Sequence, residues 1–484
     1  MILNDFNLLS SEIILLFTSL IILIYGIFIT EDEKSIKNIF YLTIFGLFFS
    51  LYFALTFDQF DIYGFNKLIL NTHFSQFFKV LILIGSIIVC FISYNYFNHL
   101  GILKSEYFFL ILLSCLGIII MISSSSILSM YIGLELHSIC LYILAAYRKD
   151  YLKSAESGVK YFILGALSSG ILLYGLSLIY GITGATDFIE ISNKLKDVSY
   201  VSNNILIIST GFVLVLSGLF FKIAAVPFHM WAPDVYEGSP TPVTAFFTTI
   251  PKIGAIAILI KFLNIPFESL KEYWIQILYI VSIISMILGS TVAINQKNIK
   301  RLLAYSSINH MGFIILGILT ANQIGIQSVL LYLSIYLITI LGIFSCLLCI
   351  KDEKNGHYLE EINSFSGLLK KNPFLSFSLA VLLISLAGIP PMAGFFSKLY
   401  ILISIVESKF YLLAVIAVIT SVISAFYYLK IIKVIFFDTS QNKIFCEITF
   451  SFKFFILSSV LLTIFFLFFA SEVLSLINKY SIII

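Results

Sequence analysis

Apolar residues run through this chain in long stretches, set apart by short clusters of Lys, Asp, Glu, Asn, Gly and Pro. An α-helix needs about 20 apolar residues to cross roughly 30 Å of hydrocarbon. The stretches predict about fourteen such spans, over residues 12–29, 37–56, 78–97, 107–122, 127–146, 159–180, 206–226, 243–263, 273–293, 302–319, 325–350, 374–405, 410–436 and 452–476. The ten-residue alternation of a membrane β-barrel is absent. Lipid-exposed backbone must also satisfy its own hydrogen bonds, so the predicted fold class is an all-α integral membrane protein.

Composition agrees. Of 484 residues, 60% are hydrophobic and 11% charged, against about half and a quarter in a soluble domain. The spans leave no room for a separate soluble domain, and no glycine-rich nucleotide loop or nucleic-acid-binding signature appears. Cys346 and Cys349 form a CxxC, but inside an apolar span they read as small hydrophobes, and no second pair completes a metal site. The formal net charge of +3 says less than its distribution. Eighteen Lys and Arg residues follow odd-numbered spans and eight lie on the other side, which puts the richer side in the cytoplasm and both termini outside. Trp231 and Trp274 suit interfacial anchoring. Asp234 and Glu237 fall in a cytoplasmic loop, as capping or subunit-contact residues, and Ser123 to Ser126 read as a turn between spans 4 and 5.

A few charges fall inside spans instead. Glu135 sits mid-span in GLELHSICLYIL, Lys222 in GLFFKIAAVPFH, Lys252 in TTIPKIGAIAIL, and Lys398 in AGIPPMAGFFSKLY. Each costs at least about 2.5–3.5 kcal/mol at mid-bilayer, a heavy burden without a use. Lysines near helix ends can snorkel to the surface, but Glu135 and Lys252 are too central. Burial and an approaching opposite charge act in opposite senses on a lysine's proton affinity. A row of such groups joined by water therefore forms a proton relay. His310, Tyr305, Ser306, Ser307 and Asn309 are placed to hold water beside it; His137 points to another face than Glu135.

Pro227 and Pro390-Pro391 interrupt spans 7 and 12, and each removes a backbone hydrogen bond. The carbonyls freed near Ile223 and Leu386 become available to water or a cation. Interrupted helices at matching places in two halves mark ion sites in transporters. Gly218-Leu-Phe-Phe-Lys222 matches Gly394-Phe-Phe-Ser-Lys398 at an offset of 176 residues. That offset carries Glu135 onto Met311, beside His310, and Lys252 onto Tyr428. Five spans separate the paired elements, so spans 4–8 (residues 107–263) and 9–13 (residues 273–436) are expected to be inverted repeats. Residues 1–106 and 437–484 would flank them with spans 1–3 and 14.

The stretch FKIAAVPFHMWAPDVYEGSPTPVTAFFTTIPKIG (221–254) resembles the subunit N family of bacterial respiratory complex I, the proton-translocating NADH–quinone oxidoreductase. GLELHSICLYILAAY, KRLLAYSSINHMGF and SLAGIPPMAGFFSKLYIL resemble the same family in the same order. The related subunits L and M tend to read HTWLPDA where this chain has HMWAPDVYEGSPTP. Subunit M usually carries glutamate at the position of Lys398, and little chain follows span 14 for the lateral helix of subunit L. The resemblance implies that Glu135 and Lys222 form a coupling pair, that Lys252 passes the proton to the middle, and that Lys398 delivers it outward, with His310 connecting. It also implies no cofactor in this chain. NADH, FMN, iron–sulfur clusters and quinone would belong to partner chains of a hetero-oligomer in the bacterial inner membrane. A subunit of a multisubunit cation/proton antiporter is the main alternative; a solute transporter and an inert scaffold are weaker ones.

Overall fold

The computed structural model describes residues 6–28, 33–57, 60–353, 356–439 and 444–482. Lys354 and Lys443, both counted in the charge distribution, lie outside them. The helices are α1 (Ser10–Phe28), α2 (Glu33–Thr56), α3 (His73–Leu100), α4 (Ser105–Ser123), α5 (Ile127–Ala145), α6 (Leu152–Thr183), α7 (Val198–Ile223), α8 (Thr241–Asn264), α9 (Lys271–Ala293), α10 (Ile299–Leu319), α11 (Gln323–Leu347), α12 (Pro373–Ala387), α13 (Ala393–Glu407), α14 (Tyr411–Phe437) and α15 (Phe450–Tyr480). Thirteen of them are long and apolar enough to cross a membrane. Span 12 is the exception, split into α12 and α13 of 15 residues each. The predicted fold class stands, and so do both predicted breaks.

Polar side chains end the helices where the sequence offers them. Ser126 accepts from Ser129 N at the start of α5, Asn298 from Lys300 and Arg301 N at α10, and Asn322 from Gly325 N at α11. Most hydroxyls inside the spans donate to a carbonyl three or four residues back, as Thr339 does to Ile335 and Ser345 to Leu341. No polar group then faces lipid unpaired.

The helices divide into a buried set and a cover. Every residue of α8 from Thr241 to Leu263 is buried, and α10 and α11 are nearly as enclosed. By contrast α1, α14 and α15 turn most of their apolar surface outward, the normal state of a helix that faces lipid or a partner subunit.

Contacts recur between the two halves at a spacing the sequence match missed. A Cβ on Gly117 would lie 2.7 Å from His137 N and 2.8 Å from Gly133 O; one on Gly289 would lie 2.5 Å from Asn309 N and 2.9 Å from Tyr305 O. All three pairs of counterparts are 172 residues apart. Ile127 N donates to Thr186 O and Phe188 N to Ser125 O, while Ile299 N donates to Glu360 O and Ile362 N to Lys297 O. The 176-residue match aligned segments on opposite sides of their breaks: Lys222 precedes its break and Lys398 follows its own. At the observed spacing Glu135 corresponds to Ser307, not Met311, and Ser138 to His310.

Two expectations about single residues fail. Trp231 and Trp274 are buried, donating to Phe221 O (3.0 Å) and Phe267 O (3.2 Å), so they brace the protein interior instead of lining a membrane interface. Lys261, counted with the outer loop charges, is buried in α8 and donates to Ser124 O (2.6 Å) and Ile122 O (3.1 Å). Its stem is long enough to reach the carbonyl end of α4 from inside the bundle. Nearby, Glu12 and Lys79 form a buried ion pair at 2.7 Å.

Candidate functional site

The charged positions singled out in the sequence all lie on the central helices. Glu135 lies on α5 between Ile132 and Ile139, which are 62% and 54% exposed, so the carboxylate borders the outer face of the protein. Its Oε1 is buried without a hydrogen-bond partner among the described residues.

Lys222 stands one residue before the end of α7. The helix ends there because Ala224 turns into the left-handed region at φ 57° and Pro227 has no N–H to continue it. The Ala225 N–H bonds back to Phe220 O, and the Phe221 carbonyl accepts from the Trp231 indole, so the broken end is satisfied. The Lys222 Nζ donates to Ser138 Oγ at 2.8 Å. Ser138 is one turn from Glu135, so the lysine is beside the carboxylate but hydrogen-bonded to the serine. The serine's own hydrogen goes to Leu134 O at 2.6 Å.

Lys252 is at the middle of α8, 1% exposed. Its Nζ donates to Ser307 Oγ at 2.8 Å, and that hydroxyl in turn donates to Ala304 O. Pro251 removes the N–H that would have bonded to Phe247 O. The Tyr236 hydroxyl donates to that carbonyl at 3.2 Å and brings its ring 5.3 Å from the Lys252 ammonium. A proline beside the lysine thus recruits the aromatic face under it.

His310 lies one turn beyond Ser307 on α10. Its Nδ1 is 2.6 Å from Tyr332 Oη and its Nε2 is 3.1 Å from Tyr428 Oη. The Tyr336 ring lies 5.3 Å from the imidazole, centre to centre. On the far side, His310, Tyr332 and Tyr336 share a small cavity with Lys398, Ser385 and Ser397.

The Lys398 Nζ donates to Ala387 O at 2.9 Å, which is the freed carbonyl of the span 12 break, occupied by the protein's own cation. Gly388 makes this possible. Its φ is 81°, and a Cβ there would come 2.8 Å from Lys398 Cδ.

The row therefore exists as Glu135 and Lys222, Lys252, His310 and Lys398, all on central helices and none within 4.0 Å of an opposite charge among the described residues. Isolated charges in so dry a place cost several kcal/mol each, and groups held by neutral acceptors alone respond strongly to any charge that moves nearby. Sequence reading missed Ser138, Tyr236, Tyr332, Tyr336 and Tyr428. Tyr332 and Tyr336, four residues apart in an otherwise apolar span, were the one available signal. Asp234 and Glu237 lie on a short helix, Trp231–Gly238. Arg301 bridges both of them, with Lys160 on Asp234 and Lys153 on Glu237.

The family model NADH:quinone oxidoreductase/Mrp antiporter, transmembrane, matches residues 124–424, a stretch that holds every member of the row. The chain belongs to this family. It is 44% identical to NADH-quinone oxidoreductase subunit N of Pelagibacter ubique, over 99% of this chain and 100% of the relative. It is 43% identical to subunit N 1 of Rhizobium meliloti over 89% of this chain and 88% of that one. Among solved structures, a chain of respiratory complex I from Thermus thermophilus with bound aureothin superposes with a TM-score of 0.79 at 28% identity, covering 96% of this chain and 98% of that one. A chain of the Mrp complex from Dietzia shares the fold at a TM-score of 0.83 and 18% identity, covering 99% and 97%.

Proposed function

We propose that the chain is the subunit N of a bacterial NADH–quinone oxidoreductase and carries protons across the membrane, while NADH, FMN, iron–sulfur clusters and quinone are handled by partner chains. The observation that carries this reading is the row of buried ionisable groups on adjoining central helices, in a chain whose relatives across its whole length are named as that subunit. Glu135 and Lys222 act as the coupling pair, Lys252 takes the proton to the middle, His310 links, and Lys398 releases it outward.

The recurrence of contacts at 172 residues supports two repeats, spans 4–8 and 9–13, and an odd number of spans between counterparts inverts one against the other. The positive-inside distribution puts both termini on the periplasmic side. Moving one charge against 100 mV costs about 2.3 kcal/mol, and one pKa unit is worth about 1.36 kcal/mol. A change of a few units at a buried lysine thus matches the work required.

The test is Lys222→Ala in inverted vesicles holding the assembled complex, with assembly checked by blot. NADH-driven quinone reduction and vesicle acidification should fall together. Both persisting at the wild-type level would remove Lys222 from the path. The Mrp-type antiporter is the second reading, favoured by the shared fold. It predicts sodium-dependent proton movement and no co-purifying flavin.

A further inference from the structure

We propose that Tyr428, His310 and Tyr332 form a hydrogen-bonded wire that passes one proton at a time toward Lys398 and reverses its own polarity with each passage. The inference rests on the proton-carrying reading above and names new members of that path.

The geometry separates these three groups from the rest of the row. At Ser138 and Ser307 the hydroxyl hydrogen is already given to a backbone carbonyl, so each serine only accepts from its lysine. At His310 both ring nitrogens face a phenol, at 2.6 and 3.1 Å. A neutral imidazole has one N–H and one lone pair, so one tyrosine donates to the ring while the other accepts from it. Each of the three groups gives one hydrogen and takes one, which is what a proton wire requires. Tyr332 and Tyr428 are 2% and 0% exposed, so bulk water does not short-circuit the chain.

The ends are placed for transfer. Tyr332 opens onto the cavity that holds Lys398, and Tyr428 does not. Ser307, one turn back on α10, holds Lys252. Start with the hydrogen on Nδ1. A proton arriving at Tyr428 Oη pushes that hydroxyl's own hydrogen onto Nε2. The Nδ1 hydrogen moves to Tyr332 Oη, and the original Tyr332 hydrogen leaves toward Lys398. One proton enters and one leaves, each O–H and N–H bond broken is replaced, and the ring ends neutral with its hydrogen on Nε2. A second proton cannot follow in the same direction until the hydroxyls and the imidazole tautomer reset.

Three variants test this in inverted vesicles of the assembled complex, with Lys222→Ala as reference. Tyr332→Phe and Tyr428→Phe keep the rings and delete one link each. His310→Gln still offers a donor and an acceptor to the two phenols but cannot exchange them. A wire predicts that each variant lowers NADH-driven acidification about tenfold or more with normal assembly, and that the double Tyr→Phe variant is no worse than either single one. Wild-type acidification in His310→Gln, or in both Tyr→Phe variants, overturns the wire and leaves a structural cage. If His310→Gln does not assemble, the two Tyr→Phe variants decide. Loss in Lys222→Ala alongside such a result leaves the proposed function standing; retention there as well takes the function down with it.

Discussion

The two ends of the buried row are built differently. At one end Glu135 borders the outer face of α5 with an oxygen unpartnered among the described residues, and Lys222 beside it is bound to a serine. At the other, Lys398 is bound to a backbone carbonyl of the same broken span and shares its cavity with a histidine held by two phenols. The first end is open to influence from outside the chain, since any charge brought against α5 acts on Glu135 across little screening. The second is self-contained and depends on backbone shape. One end is suited to receive a signal and the other to release a proton under fixed geometry.

That contrast can be broken most severely at Gly388. Gly388→Val places a β-branched residue at φ 81° against the Lys398 stem, adding strain of about 1–3 kcal/mol before the clash is counted. The expected outcome is loss of assembled complex on native gels, together with NADH-driven pumping. Normal assembly would mean that the break tolerates another shape. Glu135→Gln is milder. It should leave assembly intact and lower pumping about tenfold, with Glu135→Asp retaining part of the activity; full activity in the Gln variant would show that charge at this end is not used.

The smallest effect is expected far from both ends. Lys153→Ala removes one exposed ion pair with Glu237, worth at most about 1 kcal/mol, and pumping should not change. Arg301→Ala should do more, because Arg301 bridges both acids. Partial burial works to raise the Asp234 carboxyl, but Lys160 and Arg301 outweigh it and hold the group below its usual value. The network's stabilisation is therefore present above the usual carboxylate range and lost only as pH falls through the lowered value. The Arg301 variant should move that loss to higher pH in thermal melts, and an unchanged profile would discount the pairing.

Much of this was legible in the sequence. Span positions followed from apolar run length, the two breaks from Pro227 and Pro390-Pro391, and the charged members of the row from their cost in lipid. What was not legible depends on which way side chains turn. Trp231 and Trp274 had the composition of interface residues, yet their indoles donate to backbone carbonyls in the interior. Lys261 looked like a loop charge because its helix ends only three residues later. The tyrosines at His310 come from α11 and α14, and nothing in either segment says they meet. The repeat spacing was misjudged because Gly-x-x-x-Lys recurs on opposite sides of the two breaks, whereas the glycine contacts that define the true spacing leave no common motif.

The hydroxyls that fold back onto their own helices have one more consequence. A conductor is only as good as its insulation, and a device that stores energy as a proton gradient is ruined by a slow leak. A serine or threonine whose hydrogen is already given to the carbonyl a turn behind can receive a hydrogen bond but has none to hand on. Around the row, Ser138, Ser306, Ser307 and Thr339 are all in that state. They make the surroundings polar enough to hold charge and still a dead end for protons, so the current has to stay on the few groups able to pass it.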